Sequence, residues 1–557
     1  MLFAARSAVA LYRLLDVLPA LAGDDRVTRR FTLVPGSDFG ADALTAIEET
    51  GARTVPWDTA TRTEYDLVVV ASPKGELGRL RGPQVLLPHG AGFNKSLPYE
   101  GSGPDSASGL DPLYLARSGD AAPIALHALA HPDQVARLTR VAPRAARSAK
   151  VVGDPTLERV LASRAHRDRY RSALGTGPRT LLALTSTWGP ESLLCRRPDL
   201  PAELAAQLPH DEYQLALVVH PNEWSRLGSF ELTQRLEPAL AAGLLLPRPR
   251  DEWASVLVAA DALITDHGSA ALYYAAADDT RPVVAACRGG AELLTGSPMG
   301  VLLGGVPELG PADDVAKALR AYRPGPAASA AGAAFAHRHD ALRRLRAELY
   351  TLLDLTPPAA RPAPVAAPLP LPRPPTRTPN SFDVQAEFTE SGDGVVVARR
   401  PAGAGPPGHH LAVELGAASE QLARSAGLLY RRPQAPPRDG GPGLTWTFDG
   451  WARDTLSAYP GCRTVAAVLP SPSGRCLLRV RGHDRPYVLE AGPVVREDGR
   501  VARVDPAAAV SAAHAWLTKT ETKTPTAPEP RLTCVIGARA FPLHVRHATD
   551  NEAQQEI

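Results

Sequence analysis

The hydrophobic positions in the first two thirds of the chain form short, continuous apolar runs, separated by polar turns and by longer amphipathic stretches. Runs without an alternating polar face are typical of parallel strands that are covered on both sides. They lie at 31–35, 66–71, 84–88, 179–187, 213–219, 244–247, 262–265 and 281–286. Because helix-forming stretches alternate with them, the pattern predicts parallel α/β sheets. Ligands of such sheets bind beyond the carboxyl ends of the strands.

The opening segment, residues 1–21, is mostly apolar, but Arg13 and Asp16 interrupt it. A secretory signal needs an unbroken apolar core, so we interpret this segment as an amphipathic helix of the first domain. No apolar run in the sequence is long enough to span a bilayer. We therefore expect a cytoplasmic protein.

The pattern changes after residue 355. Residues 357–379 are rich in proline, alanine and arginine, and they predict an extended linker with no capacity to pack. Two hairpin patterns, at 464–480 and 494–504, and a helical stretch at 507–517 predict a small α+β domain of unknown role. The expected units are 1–148 (first Rossmann-like, acceptor-side domain), 149–355 (second Rossmann-like, donor-nucleotide domain), 356–380 (linker), 381–523 (α+β domain) and 524–557 (a partly disordered tail).

A helical stretch at 330–354 carries a cluster of basic side chains, among them Arg338, Arg343, Arg344 and Arg346. Such a cluster is usually a solvated face, but a basic helix can also hold an enzyme at an anionic membrane. Peripheral contact with the inner face of the cell membrane therefore stays open.

Composition narrows the functional classes. A chain of 557 residues with 44% hydrophobic content exceeds what one core usually holds, so several domains are expected. The net charge of +2 gives no electrostatic case for a nucleic-acid partner. The five cysteines are scattered and lack CxxC spacing, which predicts neither a disulfide framework nor a zinc site.

The stretch 262–277 predicts a buried strand, a tight polar turn and a helix. The turn consists of Thr265, Asp266, His267, Gly268 and Ser269. The glycine permits a sharp turn, the serine can cap the helix, and the free N–H groups of the first helical turn form an anion site. A phosphate would gain the helix dipole there, while the aspartate and the histidine could orient a sugar hydroxyl or move a proton.

Three further strand ends carry candidate chemistry. His89 is followed by Gly90 in a glycine-rich loop that ends at Lys95, which leaves the imidazole accessible as a general base requires. Thr187 follows the strand at 179–187, and His220 precedes a proline that keeps it extended. A structural role for either histidine is the competing interpretation.

These motifs resemble, in order and approximate spacing, the CDP-glycerol glycerophosphotransferase family of teichoic-acid polymerases, over roughly residues 30 to 300. The motifs are His89-Gly90, Gly153-Asp154-Pro155, Ser186-Thr187-Trp188, His220-Pro221 and the turn at 265–269. The resemblance implies a GT-B fold. It also implies that His89 is the acceptor-side base, and that Asp266 and Ser269 hold the donor phosphates.

The sequence departs from that family at three places. Lys95 lies one residue further from the histidine, Gly189 replaces a basic residue, and His267-Gly268 replaces an aromatic-serine pair. The turn also resembles that of UDP-N-acetylglucosamine 2-epimerase-like and other nucleotide-sugar GT-B proteins. The donor base and the transferred group therefore stay open.

The resulting hypothesis is a metal-independent GT-B transferase that moves a CDP- or UDP-linked group to a hydroxyl of a polyol, sugar or polymer. His89 would accept the hydroxyl proton, while Ser269, the helix N-terminus and His220 would stabilise the departing phosphate. Gly90 and Lys95 would lie on the acceptor side. No cofactor is expected, because a glycine-rich dinucleotide fingerprint is missing. The alternatives are an inactive GT-B scaffold that binds partners and an epimerase-like enzyme.

Overall fold

The computed structural model describes residues 1–37, 40–96, 107–115, 124–249, 252–310, 314–371, 378–403, 407–433, 444–472, 474–519 and 531–557. Its first sheet has six strands: β1 (Leu2–Ala5), β2 (Arg30–Leu33), β3 (Val68–Val70), β4 (Gln84–Leu86), β5 (Ile124–Leu129) and β6 (Ala149–Val151). All pair in parallel, in the order β2-β1-β3-β4-β5-β6. The associated helices are α1 (Ala8–Val17), α2 (Gly40–Glu49), α3 (Trp57–Ala60), α4 (Pro112–Leu115), α5 (Pro132–Val141) and α6 (Pro143–Ala146).

The start of the chain corrects the expectation of a single helix over 1–21. Leu2–Ala5 is a strand between β2 and β3, and all four of its residues are buried. A short apolar run cannot be assigned to strand or helix by periodicity alone. The helix α1 begins after Ser7, whose hydroxyl accepts the N–H of Ala10 at 3.4 Å.

The second sheet contains four parallel strands: β7 (Thr180–Ser186), β8 (Tyr213–Val219), β9 (Ala262–Thr265) and β10 (Val283–Ala285). Their order is β10-β9-β7-β8, and single parallel bridges at Leu245 and Glu308 extend both edges. The helices are α7 (Pro155–Ser163), α8 (Arg167–Ala173), α9 (Leu193–Arg196), α10 (Leu200–Gln207), α11 (Pro221–Arg235), α12 (Glu237–Ala241), α13 (Glu252–Ala259), α14 (Ala270–Ala277), α15 (Pro298–Gly305), α16 (Val315–Ala321), α17 (Gly325–Ala334) and α18 (Ala341–Leu352).

The basic stretch at 330–354 is divided between α17 and α18, and α18 packs on the first sheet. Leu345 and Leu349 lie in the same buried cluster as Phe3. Its arginines are engaged within the protein: Arg346 is buried, and Arg343 pairs with Asp340. Among the described residues, no helix is both long enough and apolar enough to cross a bilayer. Membrane contact stays a prediction.

The third unit is a closed barrel. The barrel strands are β11 (Ser381–Phe388), β12 (Gly394–Pro401), β13 (His410–Glu414), β14 (Leu428–Arg431), β15 (Thr464–Val468), β16 (Arg475–Val480), β17 (Tyr487–Ala491), β20 (Arg531–Ile536) and β21 (Arg539–His547). A small hairpin outside the barrel consists of β18 (Val494–Val495) and β19 (Val501–Ala502). The barrel order is β11-β12-β20-β21-β17-β16-β15-β14-β13. The helices are α19 (Glu420–Ser425), α20 (Phe448–Ala458), α21 (Pro506–Lys519) and α22 (Asp550–Ala553).

The helix α21 packs with the inner faces of the barrel strands. Residues 507–514 are buried without interruption, and they share a cluster with side chains of β11, β12, β16 and β20. A helix that is apolar on all sides needs such an enclosed position. The predicted pair of Rossmann-like domains with parallel sheets, followed by a sheet-rich C-terminal domain, is confirmed.

Two expectations about the last third of the chain need correction. The supposed tail contains β20 and β21, in which Phe541, Leu543 and Val545 alternate inward with period two. The predicted linker is docked on the second domain: the N–H of Ala367 bonds to Ser163 at 2.9 Å, and its carbonyl accepts the hydroxyl of Tyr170 at 2.5 Å. Residues 372–377 of the linker and 520–530 lie outside the described residues.

Candidate functional site

The candidate site is a cleft between the two α/β domains, where strands of both sheets end. β4 of the first sheet leads into His89, and β7, β8 and β9 of the second sheet lead into Thr187, His220 and the turn at 265–269. Of the sequence-predicted residues, the cleft brings together His89, Gly90, Lys95, Thr187, His220, His267, Gly268 and Ser269. Parallel strands that end at the same edge account for this convergence.

His89 stands at the first-domain wall of the cleft. Arg13 donates to its backbone carbonyl at 3.3 Å, which fixes the start of the loop. Burial, with the charges of Lys74 and Arg13, lowers the pKa of His89 to about 4. The imidazole is therefore neutral near pH 7 and has a lone pair that can accept a proton.

His220 occupies the N-cap position of α11, and its Nδ1 accepts the N–H of Asn222 at 3.1 Å. Because Nδ1 accepts this bond, the proton of the neutral ring lies on Nε2. Burial, followed by the charges of Lys95 and His89, lowers the pKa of His220 to about 3. His220 can thus donate a hydrogen bond from Nε2 as a neutral group.

Ser269 begins α14, but its side chain does not cap the helix as expected. It has helical dihedral angles (φ −65°, ψ −9°), whereas a capping serine has extended ones. Its Oγ lies 3.3 Å from where a Cβ on Gly90 would stand, so the two domains approach closely here. Ser269 and the preceding Gly268 both line the cleft.

Asp266 and Thr265 have structural positions. The two carboxylate oxygens of Asp266 accept the N–H groups of Thr187, Leu193 and Gly268 at 2.8, 2.8 and 2.9 Å. Burial raises the pKa of Asp266, and these amide donors oppose the rise. The Thr265 hydroxyl is fully buried, 2.7 Å from that of Thr185. Both residues therefore shape the turn, and their contact with a donor stays a prediction.

Lys95 lines the cleft and contacts the second domain, and its acceptor-side role stays a prediction. Its Nζ lies 2.8 Å from Glu292 of the second domain and donates to the Trp188 carbonyl at 2.6 Å. The same Glu292 Oε2 lies 3.1 Å from Nε2 of His267. The sequence analysis did not single out Glu292, which follows β10 after the turn Gly289-Gly290.

Two basic residues of the cleft were also missed. Arg6 follows β1, and Lys74 lies two residues after Ser72 at the end of β3. The strand-end signal would have found Arg6 if Leu2–Ala5 had been recognised as a strand. Among the described residues that line the cleft, none is an aspartate or a glutamate, so the lining favours an anion.

A second group links the domains behind His89. Arg13 bonds to Asp154 at 3.2 Å and to the hydroxyl of Tyr273, which donates to Asp154 at 2.8 Å. Arg13 and Tyr273 border an adjoining pocket, which is also walled by Pro221, Pro249 and Trp253. This pocket shares His89, His220 and Ser269 with the cleft. An aromatic and apolar pocket beside a basic cleft suits a ligand with a flat ring and a charged group.

Within the described part of the chain, no three histidine, cysteine, aspartate or glutamate side chains gather in a group that could hold a metal ion. The polar side chains that line the cleft are those of histidine, serine, threonine, asparagine, tryptophan, lysine and arginine.

No protein-family model and no curated protein sequence matches the chain. Similar solved structures include the wall teichoic acid polymerase TagF, with 12% identity and a TM-score of 0.44, covering 63% of this chain and 88% of that one. Anabaena HepE in complex with UDP and glucose has 17% identity, 64% and 99% coverage and a TM-score of 0.38. UDP-GlcNAc 2-epimerase from Neisseria meningitidis, bound to UDP-GlcNAc, has 11% identity, 63% and 99% coverage and a TM-score of 0.41. Similarity at this level does not extend to a shared activity.

Proposed function

We propose that the protein is a GT-B type transferase that moves a nucleotide-activated group to a hydroxyl acceptor. The observation that carries the proposal is the cleft itself. It combines two neutral histidines, a serine at a helix N-terminus whose hydroxyl does not cap the helix, and the cations Arg6 and Lys74. Its described lining has no carboxylate. This lining suits the phosphates of a nucleotide-linked donor.

In the proposed reaction the acceptor hydroxyl attacks the activated group. His89 takes the hydroxyl proton while the new bond to oxygen forms and the bond to the nucleotide phosphate breaks. The Ser269 hydroxyl, the dipole at the N-terminus of α14 and Nε2–H of His220 stabilise the negative charge on the departing phosphate. The His220 ring is held before the reaction by its bond to the N–H of Asn222, which favours effective stabilisation.

The donor is proposed to be linked to CDP or UDP, either CDP-glycerol or a nucleotide sugar, and the acceptor to be a polyol, a sugar or a polymer of the cell envelope. Calorimetric titration with CDP, UDP, CDP-glycerol and UDP-sugars tests which nucleotide-linked donor binds. Turnover of the donors that bind tests whether their group is transferred to an acceptor. Binding without turnover would favour a scaffold that only binds partners. Isomerisation of a UDP-sugar without an acceptor would favour the epimerase-like alternative.

Two substitutions separate donor binding from chemistry. Ser269→Ala removes one hydroxyl from the proposed donor site, and it removes no helix cap because the serine does not cap α14. Nucleotide binding should therefore weaken by about 1 kcal/mol. His89→Ala should leave nucleotide binding nearly unchanged and lower turnover by roughly a hundredfold or more. Calorimetry and steady-state kinetics measure the two effects, with Ser229→Ala and His339→Ala, at exposed positions, as matched controls. Wild-type turnover of His89→Ala would rule out the assigned base.

A further inference from the structure

The loop that carries His89 is bonded to the second domain by backbone atoms. The N–H of Ser96 donates to the carbonyl of Glu292 at 2.9 Å, and the N–H of Leu294 donates to the carbonyl of Asn94 at 2.9 Å. The Asn94 side chain accepts the N–H of Met299 at 3.1 Å. The segment 94–96 thus pairs with 292–294 across the domain boundary.

A buried ionic cluster of Lys95, Glu292 and His267 lies beside this pairing. Glu292 Oε2 is 2.8 Å from Lys95 Nζ and 3.1 Å from His267 Nε2. The side chains are 16%, 5% and 1% exposed in the order Lys95, Glu292, His267. Burial raises the pKa of Glu292, but the hydrogen bonds from His267 and Lys95 outweigh it and hold that pKa below its usual value. The carboxylate is therefore ionised near neutral pH and holds both partners.

The surrounding backbone is shaped to admit this cluster. A Cβ on Gly189 would stand 3.1 Å from Glu292 Oε1 and 3.3 Å from Lys95 Nζ, and a Cβ on Gly289 would stand 2.6 Å from the ring of His267. Phe93, two residues before Lys95, has φ +49°, which is unfavourable for a bulky side chain. Such a conformation persists only where the surroundings impose it.

The two ends of the cluster lie next to the proposed reacting groups. Lys95 is in the loop that begins with His89, and His267 is two residues before Ser269. We propose that Glu292 is a positioning residue. It holds the His89 loop against the turn at 265–269, so that the base and the donor phosphate are correctly placed relative to each other. This inference rests on the proposed function. Misplacement of reacting groups by about 1 Å can cost roughly a hundredfold in rate.

The first test is independent of activity. Hydrogen exchange of the Ser96 and Leu294 amides reports directly on the cross-domain pairing. In Glu292→Gln and in Lys95→Met, exchange at both amides should rise about tenfold or more, while exchange in the barrel strands stays unchanged. The matched control is the Lys150–Glu348 pair, which has a 2.6 Å contact with 57% and 26% side-chain exposure and lies outside the cleft. Lys150→Met and Glu348→Gln should change neither amide.

The second test separates positioning from folding. Both cluster variants should bind the nucleotide within about twofold of the parent, yet show kcat lowered by roughly tenfold to a hundredfold. The double variant should lose no more than the larger single loss, because both substitutions break one cluster. Unchanged exchange in both single variants, or raised exchange with unchanged kcat, would overturn the inference. A parent without turnover on any donor would instead count against the proposed function, on which the exchange measurement does not depend.

Discussion

Six buried or half-buried histidines make the protein sensitive to acid. Burial lowers the pKa to about 4 at His89, His127, His210 and His514, and to about 3 at His220 and His410. An unfolded histidine binds a proton below about pH 6.5, whereas these folded ones do so only near their lowered values. Protonation therefore favours the unfolded chain, and stability is lost as the pH falls from about 6.5 toward 4.

His127 offers the clearest measurement of this effect, because it lies in β5 away from the cleft and is 1% exposed. His127→Leu removes one histidine whose pKa is lowered in the folded protein. Between pH 7 and pH 5 its unfolding free energy should fall by about 2 kcal/mol less than that of the parent. Urea unfolding at the two pH values measures the difference, and exposed His339→Leu should behave like the parent. If the unfolding free energy of the parent and of His127→Leu fell equally between pH 7 and pH 5, the lowered pKa of His127 would be contradicted.

At the scale of single residues, the sequence predicted which strand ends converge, but it did not predict which side chains face the cleft. Asp266 shows the reason. Its oxygens accept amides of Thr187 and Leu193, which precede it by 79 and 73 residues, and no local spacing encodes those bonds. Glu292 was missed because its partner Lys95 belongs to the other domain. Side-chain direction in such turns is decided by tertiary contacts.

At the scale of elements, α21 was predicted as a helix, but its enclosure was not. The stretch 507–513 is nearly all alanine, which gives high helix propensity and no apolar stripe. The interior of the barrel accounts for that composition, because small side chains let a helix fit among the strands. In the tail the sequence predicted only a possible strand at 532–536, which is β20, and it missed β21. Their partners β12 and β17 are distant in sequence, so the alternating pattern of β21 resembled an exposed tail.

This packing predicts that α21 tolerates no enlargement. Ala509→Leu inserts three carbons at a fully buried position, and it should destabilise the protein by about 1 to 3 kcal/mol through overpacking. Ala515→Leu, at a partly buried position of the same helix, should cost less than about 1 kcal/mol. Thermal and urea unfolding compare the two. Equal effects would mean that α21 is less confined than its contacts indicate.

At the scale of the whole molecule, the barrel is fixed to the second domain through Arg399. This side chain is fully buried, pairs with Asp211 at 2.6 Å and with Asp505 at 2.7 Å, and stacks on Phe382 with its guanidinium 4.4 Å from the ring centre. A linker with no packing capacity implied a separable domain. The observed contacts instead join 381–557 to the domain that carries the turn at 265–269.

Arg399→Met should therefore cost about 3 to 5 kcal/mol, because it leaves the buried Asp211 and the partly buried Asp505 with one partner fewer each. Arg500 and Asp168 form a matched control across the same boundary, 2.9 Å apart but 53% and 67% exposed. Arg500→Met should change stability by less than about 1 kcal/mol. Chemical unfolding with probes in both units would show the difference. A small effect of Arg399→Met would mean that the two units are not coupled through this residue.

The position of α21 also constrains the order in which the barrel can be completed during translation. β20 and β21 stand between β12 and β17 in the barrel, yet they follow α21 along the chain. At about 5 to 20 residues per second, the ribosome needs seconds to deliver them after α21 has been made. Throughout that interval β12 and β17 present unpaired edges and the helix is uncovered on one side, a state that invites association between nascent chains. A premature stop before β20 would make that state permanent.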